Sequence, residues 1–557
     1  MKTNLLLIAA IACTISINAQ VHEWTKGIIG TGNTAIHGNK TYVEPSGNAI
    51  YTYGEHSDFD SENSVTLDPG GIAQVLTGEF ASSYYLIKMT PEGQLMWAQT
   101  FSASSYVFIQ DISTDAAGNC YIAGVFLGTM DVDNSSNNYT LTTNTDLTSF
   151  IVKLAADGEF LWAQQYDKMA ITTIAIRSNA LFCAGYFIDQ CDFDNSVSSS
   201  VPYTSQGGSD CFVMRLNTEG EHQWVKILGS SGNTEYITDI STTPTGMLNI
   251  TGSFWNSVDF NPDAGVTTLN AVGEMDIFIL QLSATGEFQW AQSVGSPIID
   301  APTSLNTAST GAIYITGVKA QANHIEPYED ITIFKFSNLG NLLWSKTIGG
   351  IDMDQAISST LDENENLYVT GDFGSMDLDF DPGIGEVYQD IDPTLGSIGY
   401  ILKLTSDGDF VWVTSLDGTS NSIWSASYHN GALYTTGSFF NSLDMAPGTP
   451  FYQLDGNTEN YNSYLCKLDV SQTLDASELN TEISPFKLYP NPSQSVVYAK
   501  LEQGSIVTVY DLAGTALMQE TGQQEPTALN IDALASGTYL VEVSQNGRKS
   551  VQKLVKE

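Results

Sequence analysis

Acidic residues recur along this chain in pairs and triplets spaced two apart: Asp58/Asp60, Asp131/Asp133, Asp192/Asp194, Asp259/Asn261/Asp263 and Asp377/Asp379/Asp381. Each group stands just after a strand-like stretch that usually ends in Gly-x-aromatic. On a strand, a spacing of two puts side chains on one face. Hard oxygens in a row, followed by glycine, are the donors that calcium takes, and Gly265 and Gly383 stand where a sharp turn would close such a loop. The strongest metal candidates are therefore Asp377, Asp379 and Asp381, and Asp259, Asn261 and Asp263. Solvated strand ends and turn caps would produce the same spacing. The last repeat keeps only Asp444 with Ala446, and no closing glutamate is fixed, so both readings stand.

Asp111 in "QDIST" and Asp239 in "TDIST" occupy matching positions. Two carboxylates about 5–10 Å apart can hydrolyse a glycosidic bond, and a repeat that needs an acid there for packing would also place them. A sialidase-like site needs clustered arginines, yet the segment 20–470 holds only Arg177 and Arg215. "GTGNTA" 30–35 loosely matches a dinucleotide pattern, but no helix follows it, so it reads as a loop. GxSxG, HExxH and a P-loop are absent, and the six histidines show no ligand spacing. Trp255 and Trp424 lie outside the repeated tryptophan position. Trp255 directly follows Gly-Ser-Phe at the mouth of a long loop, which makes it the stronger ligand-contact candidate.

Charge narrows the partners. The chain has 20 Lys+Arg against 63 Asp+Glu, a formal charge of −43. Such a field repels nucleic acid and anionic membranes. Residues 1–19 read as a signal peptide, with Lys2 before an apolar run from Leu5 to Ile17 and small residues at its end. That run is too short to span a bilayer. Cys120, Cys183, Cys191, Cys211 and Cys466 are too few and too irregular for a disulfide framework. Cys191 and Cys211 flank one loop and are the pair that could bridge.

The elements that must position these residues follow from a repeat. Tryptophan sits four residues after glycine six times: Gly93/Trp97, Gly158/Trp162, Gly220/Trp224, Gly286/Trp290, Gly340/Trp344 and Gly408/Trp412. Around each lie a β-type stretch, a strand ending in Gly-x-aromatic, an alternating strand such as "FIVKL" 150–154, and the tryptophan strand. Alternation with β-branched and aromatic residues predicts strands. Four strands per unit, repeated seven times, predict an all-β, seven-bladed β-propeller over residues 20–470. The seventh repeat lacks its tryptophan strand, and Trp24 has a tryptophan strand with no repeat before it. The N-terminal strand should therefore close the last blade. Tight first-to-second and third-to-fourth turns should share one face. Long second-to-third and fourth-to-first connections should share the other, where binding residues are expected.

The "DLDFDPGIG" and "YILKLTSDGDFVW" segments resemble the secreted β-propeller repeat family of bacterial surface proteins. After a polar linker at 471–485, residues 486–557 change pattern: "YPNP" 489–492, "VYDLAG" 509–514, "LASGTYLVEV" 534–543 and "KLVK" 553–556. This module resembles the type A C-terminal sorting domain of type IX secretion and should form a small β-sandwich-like domain. The resemblance implies recognition by the type IX machinery and export to the medium or cell surface. Charge divides the chain likewise, since 486–557 carries a net −1 and 20–470 a net −40.

These readings predict a surface-displayed propeller that binds a glycan or protein, with Trp255, Asp111 and Asp239 as ligand-binding candidates and no transmembrane segment in the mature chain. Two alternatives stay open: a polysaccharide-degrading enzyme using carboxylates on the long-loop face, and a structural surface protein with calcium-stabilised loops.

Overall fold

The computed structural model describes residues 21–471 except 31–33, 58–64, 68–73, 77–81, 134, 136–137, 144, 197, 230–234, 321–328, 377, 390–395 and 446–452. In the tail it describes 488–556 except 490, 500–504, 511–515, 522–526, 536 and 546–547. The signal-peptide reading, Asp58, Asp60 and Asp377 lie outside the described residues. Two compact units divide between Gln472 and Thr473.

The first unit is built from antiparallel sheets whose strands follow chain order. The first sheet takes Ala35–Val43, Ile50–Ser57, Ser82–Met89 and Leu95–Ser102, and the second Tyr106–Thr114, Cys120–Leu127, Thr148–Leu154 and Phe160–Asp167. The third takes Met169–Arg177, Ala180–Phe187, Asp210–Asn217 and His222–Leu228; the fourth Tyr236–Thr242, Leu248–Phe254, Asp276–Leu282 and Phe288–Val294. The fifth takes Asp300–Thr307, Ile313–Ala320, Glu329–Phe336 and Leu342–Ile348; the sixth Asp354–Leu361, Leu367–Phe373, Ile398–Leu404 and Phe410–Ser415. In the seventh, Asp417–His429, Ala432–Asp444 and Tyr461–Asp469 are joined by Val21–Gly30, which pairs with Tyr461–Asp469 from Val21↔Asp469 to Ile28↔Ser463.

The core lies between sheets. Tyr51 and Tyr84 of the first sheet share one apolar cluster with Phe126 and Phe150 of the second. Ile277 and Ile279 of the fourth meet Leu305 and Ile315 of the fifth. Ile36 and Tyr85 of the first sheet meet Tyr434 and Leu465 of the seventh. Middle strands are covered on both faces, which is why "LNITGSF" is buried throughout.

Four of the repeated tryptophans bond the next sheet, whereas Trp290 bonds Gln281 within its own sheet. The indole N–H of Trp97 donates to the Ala156 carbonyl, 3.1 Å away in the following sheet's turn. Trp224 reaches Ala284, Trp344 reaches Ser406, and Trp24 reaches Pro91. Beside them the third-strand base approaches the same turn: Lys88 donates to the Ala156 carbonyl at 2.9 Å and Lys335 to Ser406 at 2.8 Å. Lys88 also lies 5.0 Å over the Tyr51 ring, and Lys403 lies 4.7 Å over Tyr368, a cation–π arrangement. The glycine before each tryptophan serves that turn. Gly158 has φ +91, and a Cβ there would stand 3.1 Å from the Trp97 ring of the preceding sheet, so both conformation and space call for glycine.

Two expectations change. The second-to-third connections are long, and several carry a small hairpin such as Ser257–Asp259 with Thr268–Asn270. The fourth-to-first connections are short: only Lys168 separates Asp167 from Met169. Cys191 and Cys211 are free buried thiols rather than a disulfide. They serve different cores, Cys191 packing with Met169 and Phe193 and Cys211 with Ile237 and Phe254.

In the tail, Leu488–Tyr489, Val496–Ala499 and Thr527–Asn530 form one sheet. Ala516–Thr521, Ile506–Tyr510, Gly537–Gln545 and Arg548–Lys556 form a second. Val497 and Leu529 of one share a core with Val507, Val541 and Leu554 of the other. No helix among the described residues is long and apolar enough to cross a membrane.

Candidate functional site

The first strands of all seven sheets line one cavity of about 510 Å³. Each of these strands carries a bulge at the same place. The pairing shifts at Gly38/Lys40, Ile109/Asp111, Ile171/Thr173 and Ile237/Asp239, then at Pro302/Ser304, Ala356/Ser358 and Ile423/Ser425. Bulges re-aim side chains. Here they bring Lys40, Asp111, Thr173 and Asp239 to equivalent positions, with Ser304, Ser358 and Ser425 completing the series on the cavity wall.

This position joins neighbouring sheets. Asp111 is 3% exposed. Its Oδ2 accepts from the Ile174 N–H at 2.9 Å and the Thr173 hydroxyl at 3.1 Å in the next sheet; its Oδ1 accepts from the Ile112 N–H at 2.8 Å and from Lys40 Nζ at 2.5 Å. Asp239 repeats the arrangement, accepting from Ile240 N–H at 2.8 Å, Leu305 N–H at 2.8 Å and the Thr173 hydroxyl at 3.3 Å. Ser358 accepts from Ala426 N–H at 3.4 Å. Burial raises the Asp239 carboxyl; Lys40 opposes this and Asp111 adds to it, leaving it at about 6. Burial would lower the Lys40 ammonium, but Asp111 and then Asp239 outweigh it and hold it raised. The structure thus brings both predicted carboxylates to one wall, with the Thr173 hydroxyl within hydrogen-bond reach of each. Their oxygens are committed to backbone amides and to Lys40.

One residue earlier, the bulge residues differ from sheet to sheet. Asn39, Gln110, Thr172, Thr238 and Thr303 are amides or hydroxyls, followed by Ile357 and then Trp424, 42% exposed. Further toward the start of the same strands, aromatics collect. Phe108 is 41% exposed and meets Tyr84 and Tyr106 with ring centroids 5.9 Å apart in both pairs. Tyr236 is 42% exposed and meets Tyr186 edge-on at 5.6 Å and Trp255 at 6.0 Å. Burial, then the neighbouring Tyr236 and Tyr106, raise the Tyr186 phenol above its ordinary value. The group on the second sheet and the group on the third and fourth sheets are together the aromatic arc. Because neighbouring strands are antiparallel, the starts of the first strands lie at the same end of each sheet as the long second-to-third connections, so the arc lies on the predicted long-loop face. Trp255 belongs to this arc. The signal for Phe108 and Tyr236 lay in "FIQDIST" and "YITDIST", where an aromatic stands three residues before the aspartate.

The acidic hairpins behave uniformly. Asp259 Oδ1 accepts from the N–H groups of Asn261 and Thr267, and Asp379 Oδ1 from those of Asp381 and Val387. Asp131 and Asp192 repeat both bonds in their own loops. Asn261 accepts from Asp263 N–H and Asp381 from Gly383 N–H. Asp263 turns to Lys226 Nζ at 2.5 Å and to Phe288 N–H at 2.9 Å. Among the described residues no three His, Cys, Asp or Glu side chains converge as a metal group. These donors fit turn caps better than a calcium cage.

Comparison with known proteins separates the two units. A protein family described as "Secretion system C-terminal sorting domain" matches residues 487–557. A WD repeat-containing protein, L264 of Acanthamoeba polyphaga mimivirus, is 21% identical over 365 residues, 53% of this chain and 26% of its own length. The chain thus spans about a quarter of that relative. Among solved structures, the type-IX secretion surface component PorZ of Porphyromonas gingivalis aligns with 93% of this chain and 81% of its own at 11% identity, TM-score 0.20. The Pan2 WD40 domain of Neurospora crassa aligns with 66% and 90% at 8% identity, TM-score 0.32. Likenesses this loose carry no functional weight. The matched tail is a type IX sorting domain that implies engagement with that secretion machinery, so the chain is a secreted or cell-surface protein; its body is all-β, built largely of four-stranded antiparallel sheets.

Proposed function

We propose that the body is a seven-bladed propeller closed by its N-terminal strand, exported through its tail, and that it acts outside the cell as a binding module for a glycan or protein. Closure is supported by the contacts of the first strands. Each touches the first strand of the next sheet, and Ala35–Val43 touches Asp417–His429. The tryptophan contacts fit the same ring, because Trp24 of the seventh sheet reaches the turn of the first. We assign residues 1–19 to a signal peptide, 20–470 to the propeller, 471–485 to a linker and 486–557 to the sorting domain.

The observation that carries the binding reading is the exposed aromatic arc beside a polar cavity. Exposed aromatics grouped on one face of a soluble protein mark interaction sites, and a concave pocket with a few convergent polar groups is the usual ligand position. The test uses the full-length chain against immobilised neutral polysaccharides and extracellular proteins. Saturable capture by one class, lost when Phe108 and Tyr236 are both replaced by alanine, supports the reading. Absence of capture by either class contradicts it.

A hydrolytic reading draws on one observation: Asp239 sits near pH 6 in its protonation and shares the Thr173 hydroxyl with Asp111. Release of reducing ends from a polysaccharide, abolished by Asp239→Asn, would replace binding by catalysis.

A further inference from the structure

Resting on the binding-module reading, we propose that the cavity and its mouth take the end of a neutral saccharide chain, with Trp424 as the stacking surface inside and Phe108 and Tyr236 at the entrance.

The ligand class follows from what the wall offers. Two acids and one base stand at the bulge-following position, and all three are occupied: Lys40 pairs with Asp111 at 2.5 Å, and the remaining oxygens of Asp111 and Asp239 hold backbone amides. Among the described residues of the wall no cation is left for a sugar acid or phosphate, and the body's net charge of −40 repels either. An apolar ligand is a poor match, since the bulge residues of five sheets are amides or hydroxyls. What remains is a neutral molecule rich in hydroxyls that also presents flat C–H faces. A pyranose ring is such a molecule. Its hydroxyls suit Gln110, Asn39, Thr172 and Thr238, and its C–H face suits an indole. Among the described residues Trp424 is the only tryptophan on the cavity wall, and it stays 42% exposed, whereas Trp97 and Trp224 are committed to inter-sheet bonds. The geometry also links inside to outside. On Tyr106–Thr114, the residues Tyr106, Phe108 and Gln110 alternate with buried Val107 and Ile109, so the entrance aromatic and the cavity amide share one face.

The experiment titrates the full-length chain with neutral hexasaccharides of cellulose, chitin, β-1,3-glucan, mannan and xylan, and with hexagalacturonate, by calorimetry and tryptophan fluorescence. The expected result is binding of at least one neutral series with a fluorescence change. Trp424→Ala should weaken it roughly tenfold or more while shifting Tm by less than about 3 °C. If that variant does not fold, Trp424→Phe and Gln110→Ala carry the test, each with weakened affinity expected. Three results overturn the proposal: no neutral hexasaccharide binds at millimolar concentration, only hexagalacturonate binds, or affinity is unchanged in the Trp424 and Gln110 variants. Capture of an extracellular protein with no saccharide binding would sink the saccharide assignment and leave the binding-module reading standing.

Discussion

The outer and inner walls of the body use the same repeat to different ends. On the outer side, tryptophan, a third-strand base and a turn glycine recur with little variation, and in Trp97, Trp224, Trp344 and Trp24 each indole bonds a carbonyl of the neighbouring sheet. On the inner wall, equivalent positions hold lysine, aspartate, threonine or serine, and the residue before them ranges from Asn39 to Trp424. A contact repeated at four sheet boundaries keeps the same residues there. A site that meets a ligand once can differ at each boundary. Within this molecule, repetition marks scaffold, and departure from it marks the candidate site.

Substitutions can break or sharpen that contrast. Trp97→Ala on the outer wall should have the largest effect, about 3 kcal/mol of stability lost with its packing and its bond to Ala156, read as a lower guanidinium midpoint with ligand affinity unchanged. Next, Asp111→Ala should cost about 2–3 kcal/mol, because it strands Lys40 and the Ile174 amide; Lys40 is 36% exposed, so water relieves part of the loss. An inner-wall acid as dispensable as a surface residue would erase the joining role given to this position.

Asp239 offers a subtler comparison. Its folded carboxyl, at about 6, lies above the ordinary aspartate value. The folded state therefore binds the extra proton between that value and about 3.9, and stability from this group grows as pH falls through the window. Wild type should gain on Asp239→Asn between pH 7 and pH 4.5 in paired denaturation midpoints. A constant difference would show that Asp239 does not titrate there. The smallest effect is expected in the hairpins: Asp259→Ala removes two hydrogen bonds accepted from the Asn261 and Thr267 N–H groups and should cost about 1 kcal/mol, with no change in saccharide affinity.

Much of the scaffold was legible because it is written in repeated residues. Gly158 and Trp97 stand in different sheets, yet their shared contact recurs often enough to show as a period. The site was less legible. Asp111 and Asp239 stood out as a matched pair, but their partners, Ile174 and Leu305, come from neighbouring sheets that no local spacing reveals. Trp424 carries a weaker signal than Trp255 because nothing in its flanking sequence marks a bulge, and the bulge is what brings it to the cavity. The fourth-to-first connections are shorter than the sequence suggests, because the strands extend beyond the stretches their apolar alternation marks. The acidic groups looked like calcium ligands because a turn cap and a calcium loop both ask for oxygens two residues apart.

The most direct test of the central claim is a structure of the full-length chain with the tightest-binding neutral hexasaccharide. The account predicts sugar density in the cavity with one ring stacked on Trp424 and the chain leaving past Phe108 and Tyr236. Density confined to the outer wall or the acidic hairpins, with the cavity unchanged, would contradict it.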